Sequence, residues 1–307
     1  MTKRSRLWKR IADYKYFYIL ALPLLLYYFI FEYVPMYGII LAFKEFNYSA
    51  GIMGSEWIGL ANFTEIFQLN DFRIAFRNTL IIAFGRLLIE FPVPIVVALL
   101  LNEVRKASMK KFYQVVYTFP HFLSWVIVSG ILINFLGSAG VLNQLLVMIG
   151  FEKVNLLVDP SSFRGLLFGS SIWKDMGWGA IIYLAAIASI PPSLYEAASI
   201  DGANRFQQMI HVTWPMLKPT IAILLILNVG GMMSSGGGGF DQIFNLYNPA
   251  VYEVADILDT YVYRRTFAVG SSYGTSTAIS LFKGVINCIL LIAANRAVKR
   301  IGQEGLV

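Results

Sequence analysis

Charged side chains are scarce in this 307-residue sequence, at 14%, against about 25% in ordinary soluble domains. That is too little to give one or two globular domains a polar coat. A single cysteine excludes a disulfide framework, and with only two histidines beside it a His/Cys-rich metal site is excluded as well. No Gly-rich P-loop ending in Lys-Ser/Thr is present, so nothing in the chain is built to cradle a nucleotide phosphate. There is no repeat of solenoid period and no low-complexity segment beyond one glycine run. Cys288 is expected as a small buried apolar side chain.

What the sequence does have is apolar length, with 57% hydrophobic residues. Runs of about 20 apolar residues, enough to cross a bilayer, occur six times, at roughly 17–43, 75–101, 112–136, 165–190, 217–235 and 275–295. The first follows the basic stretch "MTKRSRLWKR", yet it is too long for a signal-peptide core and lacks a small-residue cleavage site, so it reads as a retained helix. The expectation is an all-α polytopic membrane protein with six transmembrane helices over 17–298, a basic tail 1–16 and a short tail 299–307.

Lys and Arg in short loops stay on the cytoplasmic side. The N-terminal tail, the 102–111 loop, the 191–216 loop with Lys218 and the C-terminal end together hold fifteen, whereas the loops 44–74, 137–164 and 236–274 hold six. Both termini are therefore predicted to be cytoplasmic. The +7 net charge then reflects topology and does not call for nucleic acid. The outer loop 236–274 opens with four glycines, which either end the fifth span and allow close approach of a ligand or form a loose linker. Ile257, Leu258, Tyr261 and Val262 follow at helical spacing, as in a short helix lying at the outer interface.

The 191–216 loop contains "PPSLYEAASIDGANRFQQMIHVTWP". Ser193 with Glu196 fits a capping box that starts a helix running to Asp201. Gly202 can close that helix in the left-handed conformation. A second helix from Ala203 to about Thr213 is expected to end near Pro215. Such a pair is either a plain connector or a docking element. The small residues Ala197, Ala198 and Ala203 beside Gly202, with Glu196 at their edge, suit docking. Chemistry is not indicated, since no nucleophile is paired with a base and His211 faces only Gln207 and Gln208.

This stretch resembles the cytoplasmic loop that marks membrane subunits of binding-protein-dependent ABC importers. Glu196-Ala197-Ala198, three residues, Gly202, nine residues, then Val212, Thr213, Trp214 and Pro215 reproduce its pattern, with Val212 and Trp214 in place of the usual Ile and Leu. "FDQIFNLYNPA", "YVYRRTF" and "YGTSTAIS" are similar to carbohydrate-uptake permeases of the maltose type. "ALPLLLYYFIFEYVPMYGIILAFKEFN", "GLANFTEIF" and "YTFPHFLSW" resemble the branch importing polysaccharide-derived oligosaccharides. The resemblance covers nearly the whole chain. It implies the type I ABC importer permease fold, a bacterial inner-membrane location and an oligosaccharide substrate. ATPase coupling would fall to Glu196, Ala197, Ala198, Asp201, Gly202, Ala203 and Pro215. The implied partners are a second homologous permease, two ATP-binding cassette subunits and an extracytoplasmic solute-binding protein. ATP and Mg would be bound by the cassette subunits, with no cofactor in this chain.

Ionisable groups at membrane depth are costly and point to function. Arg86 and Glu90 stand at i, i+4 on the second span and can pair. Lys174 and Asp175 lie beside Trp173 and Trp178, with Gly177 and Gly179 permitting close packing. Sugars need hydrogen-bonding groups beside aromatic plates, and this cluster has both. Ser124, Trp125 and Asn228 are the next candidates for the substrate path, and helix packing or interfacial anchoring is the alternative for each. His121 after Pro120 is expected to satisfy a freed backbone carbonyl. Lys283 faces either a partner subunit or an anionic sugar. The rival readings are an ABC importer for a non-sugar solute, an ion-coupled secondary transporter and a membrane-embedded enzyme. A secondary transporter would show a two-fold repeat and free intramembrane carboxylates, whereas an enzyme would show an acid/base or metal cluster.

Overall fold

The computed structural model describes residues 13–233, 239–268, 272–303 and 305. The first 12 residues of the basic tail and glycines 236–238 of the glycine run lie outside them. Five helical runs are long and apolar enough to cross a membrane: Lys15–Phe43, Asn70–Asn102, Trp125–Met148, Arg205–Gly231 and Tyr273–Arg300. Pro160–Ala188 and Pro192–Ile200, bent by 70° where they meet, pass the same test only together and count as a sixth when the pair is taken as one span. Six spans were expected, and the described residues are helical throughout apart from one hairpin of two-residue strands and the connecting loops.

The chain divides into two compact units, one formed by the residues up to Ile66 with Gly270–Leu281, the other by Phe67–Val269 with the residues from Phe282 onward. In the first, α1 (Lys15–Tyr28) passes through a π turn, Phe29–Tyr33, into a 3-10 segment, Val34–Phe43. Strands β1 (Lys44–Glu45) and β2 (Glu56–Trp57) pair antiparallel in the register Lys44↔Trp57 and Glu45↔Glu56. Buried Asn62 donates to the Ala42 and Lys44 carbonyls at 3.0 and 3.1 Å, satisfying backbone groups that the short hairpin leaves open. The Lys44 ammonium does the same for Ile52 and Met53, at 2.9 Å each.

The second unit is organised around α6, Pro160–Ala188. The helices before it are α2 (Asn70–Gly85), a π turn Arg86–Glu90, α3 (Pro92–Asn102), α4 (Ala107–Thr118) and α5 (Trp125–Leu136). After it come α7 (Pro192–Ile200), α8 (Trp214–Gly231), α9 (Phe240–Leu246), α10 (Leu258–Tyr263) and α11 (Tyr273–Arg300), the last of which runs through both units. Asp159 caps the start of α6. Its carboxylate accepts from the Ser161 and Ser162 hydroxyls at 2.6 Å and the Ser161 N–H at 3.1 Å. The hydroxyl of Ser161 and then that of Ser162 hold its pKa down at about 2. One half of α6 packs Phe163 and Leu167 against Ile82, Ile243 and Ile257; the other packs Ala180, Tyr183 and Ile187 against Ile95, Ala98 and Leu217.

Lipid is as apolar as leucine, so helix association in a membrane relies on close packing. Gly177 provides it: a Cβ there would fall 2.2 Å from the Tyr117 backbone of α4. At Gly179 a Cβ would fall 2.9 Å from the Pro94 side chain of α3.

Several expectations are corrected. The third span is not continuous from 112 to 136, because α4 stops at Thr118, a 3-10 turn covers Phe119–Phe122, and Leu123 and Ser124 are extended. Pro120 removes a helical N–H there, and the Ser124 hydroxyl caps α5 by accepting from the Ile127 N–H at 3.3 Å. The second helix of the 191–216 loop does not end at Pro215. It passes from Arg205–Gln208 through a π turn, Met209–Thr213, directly into α8. The π turn widens the hydrogen-bond ring at the point where a proline would otherwise clash with the preceding turn.

The capping box is at Asn204 and Gln207, while Pro191 caps α7 with no side-chain bond, so Ser193 and Glu196 do not form one. The helix expected at the outer interface turns its apolar face inward, with Ile257, Leu258 and Tyr261 buried. Cys288 is exposed rather than buried. Lys283 pairs with Asp259 inside the chain.

Candidate functional site

A cavity of about 550 Å³ opens among the π turn after α2, α3, His121, α6 and α8, within the 300–1,000 Å³ usual for ligand sites. Its apolar lining comes from residues such as Phe91, Pro94, Ile182 and Leu227; its polar groups are Arg86, Glu90, His121, Ser171, Asp175 and Asn228. Arg86, Glu90, His121, Ser171 and Asp175 are each held by a neighbour on another element. The Ser171 hydroxyl donates to Glu90 at 2.8 Å, and Arg86 lies 3.8 Å from the other Glu90 oxygen. The Arg86 guanidinium also donates to Gln242, which is itself fully buried on α9 and donates to the Leu167 carbonyl at 2.7 Å and the Ser170 hydroxyl at 2.9 Å. Gly239 holds a left-handed φ of +78° just ahead of α9, and a Cβ there would strike the Arg86 guanidinium.

On the facing wall, His121 Nδ1 lies 2.7 Å from Asp175 Oδ1, and the imidazole stacks on Trp178 with centroids 4.4 Å apart and planes 4° from parallel. The expected contact of this ring with a freed carbonyl is replaced by the Asp175 pair. The His121 carbonyl is satisfied instead by Lys174, at 2.9 Å. Lys174 is buried behind the wall, 3.5 Å from Asp175 and 5.5 Å above the Trp125 ring.

Of the residues predicted for the path, Asp175 and Asn228 line the cavity. Lys174 and Trp125 back it, Ser124 serves as a helix cap, and Trp173 is exposed on another face of α6. Arg86 and Glu90 pair as their spacing predicts, but on the cavity wall rather than as an isolated structural pair. Trp178, named in the sequence with Lys174 and Asp175, lines the cavity, and the residues not anticipated for the path were His121, Ser171 and Tyr183. One signal for them was present: Ser171, Asp175, Trp178 and Ile182 follow at i, i+4, i+7 and i+11, a single helical face, whereas the contiguous trio Trp173, Lys174 and Asp175 spreads over three directions.

The second candidate element is the 191–216 loop. Gly202 has φ +80° and ends α7, where the Ala203 N–H reaches the Ala198 carbonyl at 2.9 Å. No atom lies within 4 Å of the Cβ it would carry, so backbone conformation alone demands glycine. Glu196, Ala197, Asp201, Gly202 and Pro215 are exposed, and Ala198 and Ala203 are half-buried. Ile200 is 87% exposed and Phe206 65% exposed, two bare apolar knobs on an otherwise polar segment. Behind them the pair is braced by Tyr195 to Thr213 at 2.9 Å and Gln208 to Ser199 at 2.9 Å. Arg205 lies 3.5 Å from Glu103. Val212 packs inward beside Tyr195 and Leu217, while Trp214 remains 42% exposed.

Among known proteins, the chain is 44% identical over 305 residues to the polygalacturonan/rhamnogalacturonan transport system permease protein YteP of Bacillus subtilis (strain 168), covering 99% of this chain and 94% of that one. It is 28% identical over 275 residues to the arabinooligosaccharides transport system permease protein AraP of the same organism, covering 86% of this chain and 83% of that one. Among solved structures it is similar to a chain of a bacterial ABC transporter involved in the import of the acidic polysaccharide alginate, with TM-score 0.88, 39% identity and coverage of 96% of this chain and 99% of that one. A second structure, the alginate ABC transporter in complex with an alginate pentasaccharide-bound periplasmic protein, matches with TM-score 0.88 and 39% identity, over 98% of this chain and 100% of that one. Residues 90–302 match the family described as binding-protein-dependent transport system inner membrane component. With the spans, the cavity and the exposed Gly202 loop, these matches make the chain a multi-pass ABC-importer permease, a member of that family.

Proposed function

We propose that this chain is one of two membrane-spanning subunits of an ATP-driven importer for oligosaccharides released from an acidic polysaccharide, working in a bacterial cytoplasmic membrane with both termini inside. The observation that carries the proposal is the wall of the intramembrane cavity. The stacked Trp178 and His121 rings offer a flat face to the C–H side of a sugar, and Arg86, Glu90, Ser171, Asp175 and Asn228 surround it with hydroxyl partners. The relatives named for polygalacturonan and for the acidic polysaccharide alginate support an acidic cargo. Arg86 and His121 are the wall groups able to meet its carboxylates.

In this reading two cassette subunits bind ATP and Mg and seat the loop from Glu196 to Pro215, with Ile200 and Phe206 entering their surface. A solute-binding protein delivers the sugar from outside. Each ligand shifts the inward/outward equilibrium only by its preference for one state, so docking outside and ATP closure inside alternate the access of the cavity. The test is uptake into vesicles carrying the reconstituted assembly. Uptake is expected only with ATP, cassette subunits and binding protein together, and uptake driven by an ion gradient alone would overturn the proposal.

A further inference from the structure

One ion pair in the cavity wall is held open. Arg86 Nε and Glu90 Oε1 face each other at 3.8 Å, and among the described residues neither atom has a hydrogen-bond partner although both are buried. Pairs of Arg with a carboxylate normally close to about 2.8 Å, often through two parallel bonds, and a buried donor or acceptor left unmet is costly. Both partners are drawn away by neutral groups. Ser171 donates to the other Glu90 oxygen at 2.8 Å, and Gln242 accepts from the Arg86 guanidinium. The Gln242 amide cannot turn round. Its Nε2 donates to the Leu167 carbonyl at 2.7 Å and to the Ser170 hydroxyl at 2.9 Å, and that hydroxyl spends its own proton on the Leu166 carbonyl at 2.7 Å. Both amide hydrogens are therefore committed to α6, and only the oxygen is left for Arg86.

Gly239 supplies the room for this arrangement, since the guanidinium occupies the space that a Cβ there would need. Gln242 is fully buried and is not among the residues that line the cavity, whereas Arg86 is, so Gln242 reaches a cargo only through Arg86. Closed on Glu90, the guanidinium would spend two donors on a carboxylate and present a dipole in place of a cation. As held, one donor meets a neutral oxygen and Nε is unspent. We propose that Gln242 is a positioning residue for charge selectivity: by holding the Arg86 guanidinium off Glu90, it keeps a cation available in the cavity for the carboxylates of an acidic oligosaccharide. This rests on the acidic-cargo reading above.

The experiment uses the full reconstituted assembly and two cargoes, an oligosaccharide of uronic acids and its methyl ester, which is neutral. Gln242→Leu is expected to raise the half-saturation for the acid about tenfold, with the maximal rate and the half-saturation for the ester within about twofold of wild type. Adding Glu90→Gln is expected to recover most of that loss, to within about threefold, because Gln still accepts from Ser171 but offers Arg86 no carboxylate to close on. A purely structural Gln242 would instead lower protein recovery or maximal rate for both cargoes and gain nothing from Glu90→Gln. Gln242→Asn keeps the amide but is one methylene short of Arg86, and it is expected to shift the acid-to-ester ratio the same way by a smaller factor. That ratio does not depend on how much protein is recovered, so it decides the matter if Gln242→Leu does not fold. An unchanged ratio in the Gln242 variants, or a loss that Glu90→Gln does not recover, overturns the proposal. The two readings fail separately. No ATP-dependent uptake by the wild type, or no wild-type preference for the acid over its ester, defeats the cargo reading, and a wild-type preference that survives in Gln242→Leu defeats only the positioning role.

Discussion

At the scale of single residues, neighbours in sequence do different work. Trp173 and Trp178 are similarly exposed, at 44% and 46%, but only Trp178 reaches the cavity and stacks on His121. An aromatic contact of this kind contributes about 1 kcal/mol beyond its area, and 1.4 kcal/mol is a factor of ten in affinity. Trp178→Ala is accordingly expected to raise the half-saturation for sugar uptake roughly fivefold, while Trp173→Ala leaves it within about twofold. Uptake titrations on the reconstituted assembly check this, and equal effects of the two would remove Trp178 from the path. Asp175 stood out in the sequence because an acid at membrane depth needs a reason. His121 did not, because its partner lies 54 positions away and no local pattern marks such a pair.

At the scale of elements, the sequence carried the long features well and the interruptions poorly. Spans predicted at 75–101, 165–190 and 275–295 fall inside or within a few residues of Asn70–Asn102, Pro160–Ala188 and Tyr273–Arg300, since apolar length is a property of the run itself. Gly202 was legible for the same reason, a glycine placed after a helix and before another. The π turns at Arg86–Glu90 and Met209–Thr213 were not. They keep a helix going where residue preferences argue for an end, and tertiary packing decides between the two. The cost of change also differs between glycines. Gly202→Asp adds strain of about 1 kcal/mol at a positive φ and places a charge on the face proposed to dock. It is expected to leave the protein inserted and folded while lowering both cassette-subunit recovery and uptake at least tenfold. Gly177→Ala, which drives a methyl group into the Tyr117 backbone, is expected to lower the thermal stability of the purified chain itself. Unchanged cassette recovery with Gly202→Asp would count against docking through this loop.

At the scale of the whole molecule, the proposed orientation rests on the distribution of Lys and Arg. With the single native cysteine replaced by Cys288→Ser, a cysteine at Ile200 is expected to react with a membrane-impermeant thiol reagent only from the cytoplasmic side. One at Tyr48, which is 77% exposed beside the hairpin of the first unit, is expected to react only from outside. The opposite labelling would invert the topology and with it the cytoplasmic place of the Gly202 loop. The bend between α6 and α7 then takes on a mechanical meaning. Nine residues of α7 make an arm about 13 Å long, set at 70° to the axis of α6. A push on the far end of such a crank, directed across the plane of the two helices, reaches α6 as torque about its axis. Torque rolls the helix about its own axis, and consecutive residues of a helix stand about 100° apart. Asp175 faces the cavity and Lys174 stands behind it, so rolling α6 by one position would reverse the sign of the charge that the wall presents to the cargo.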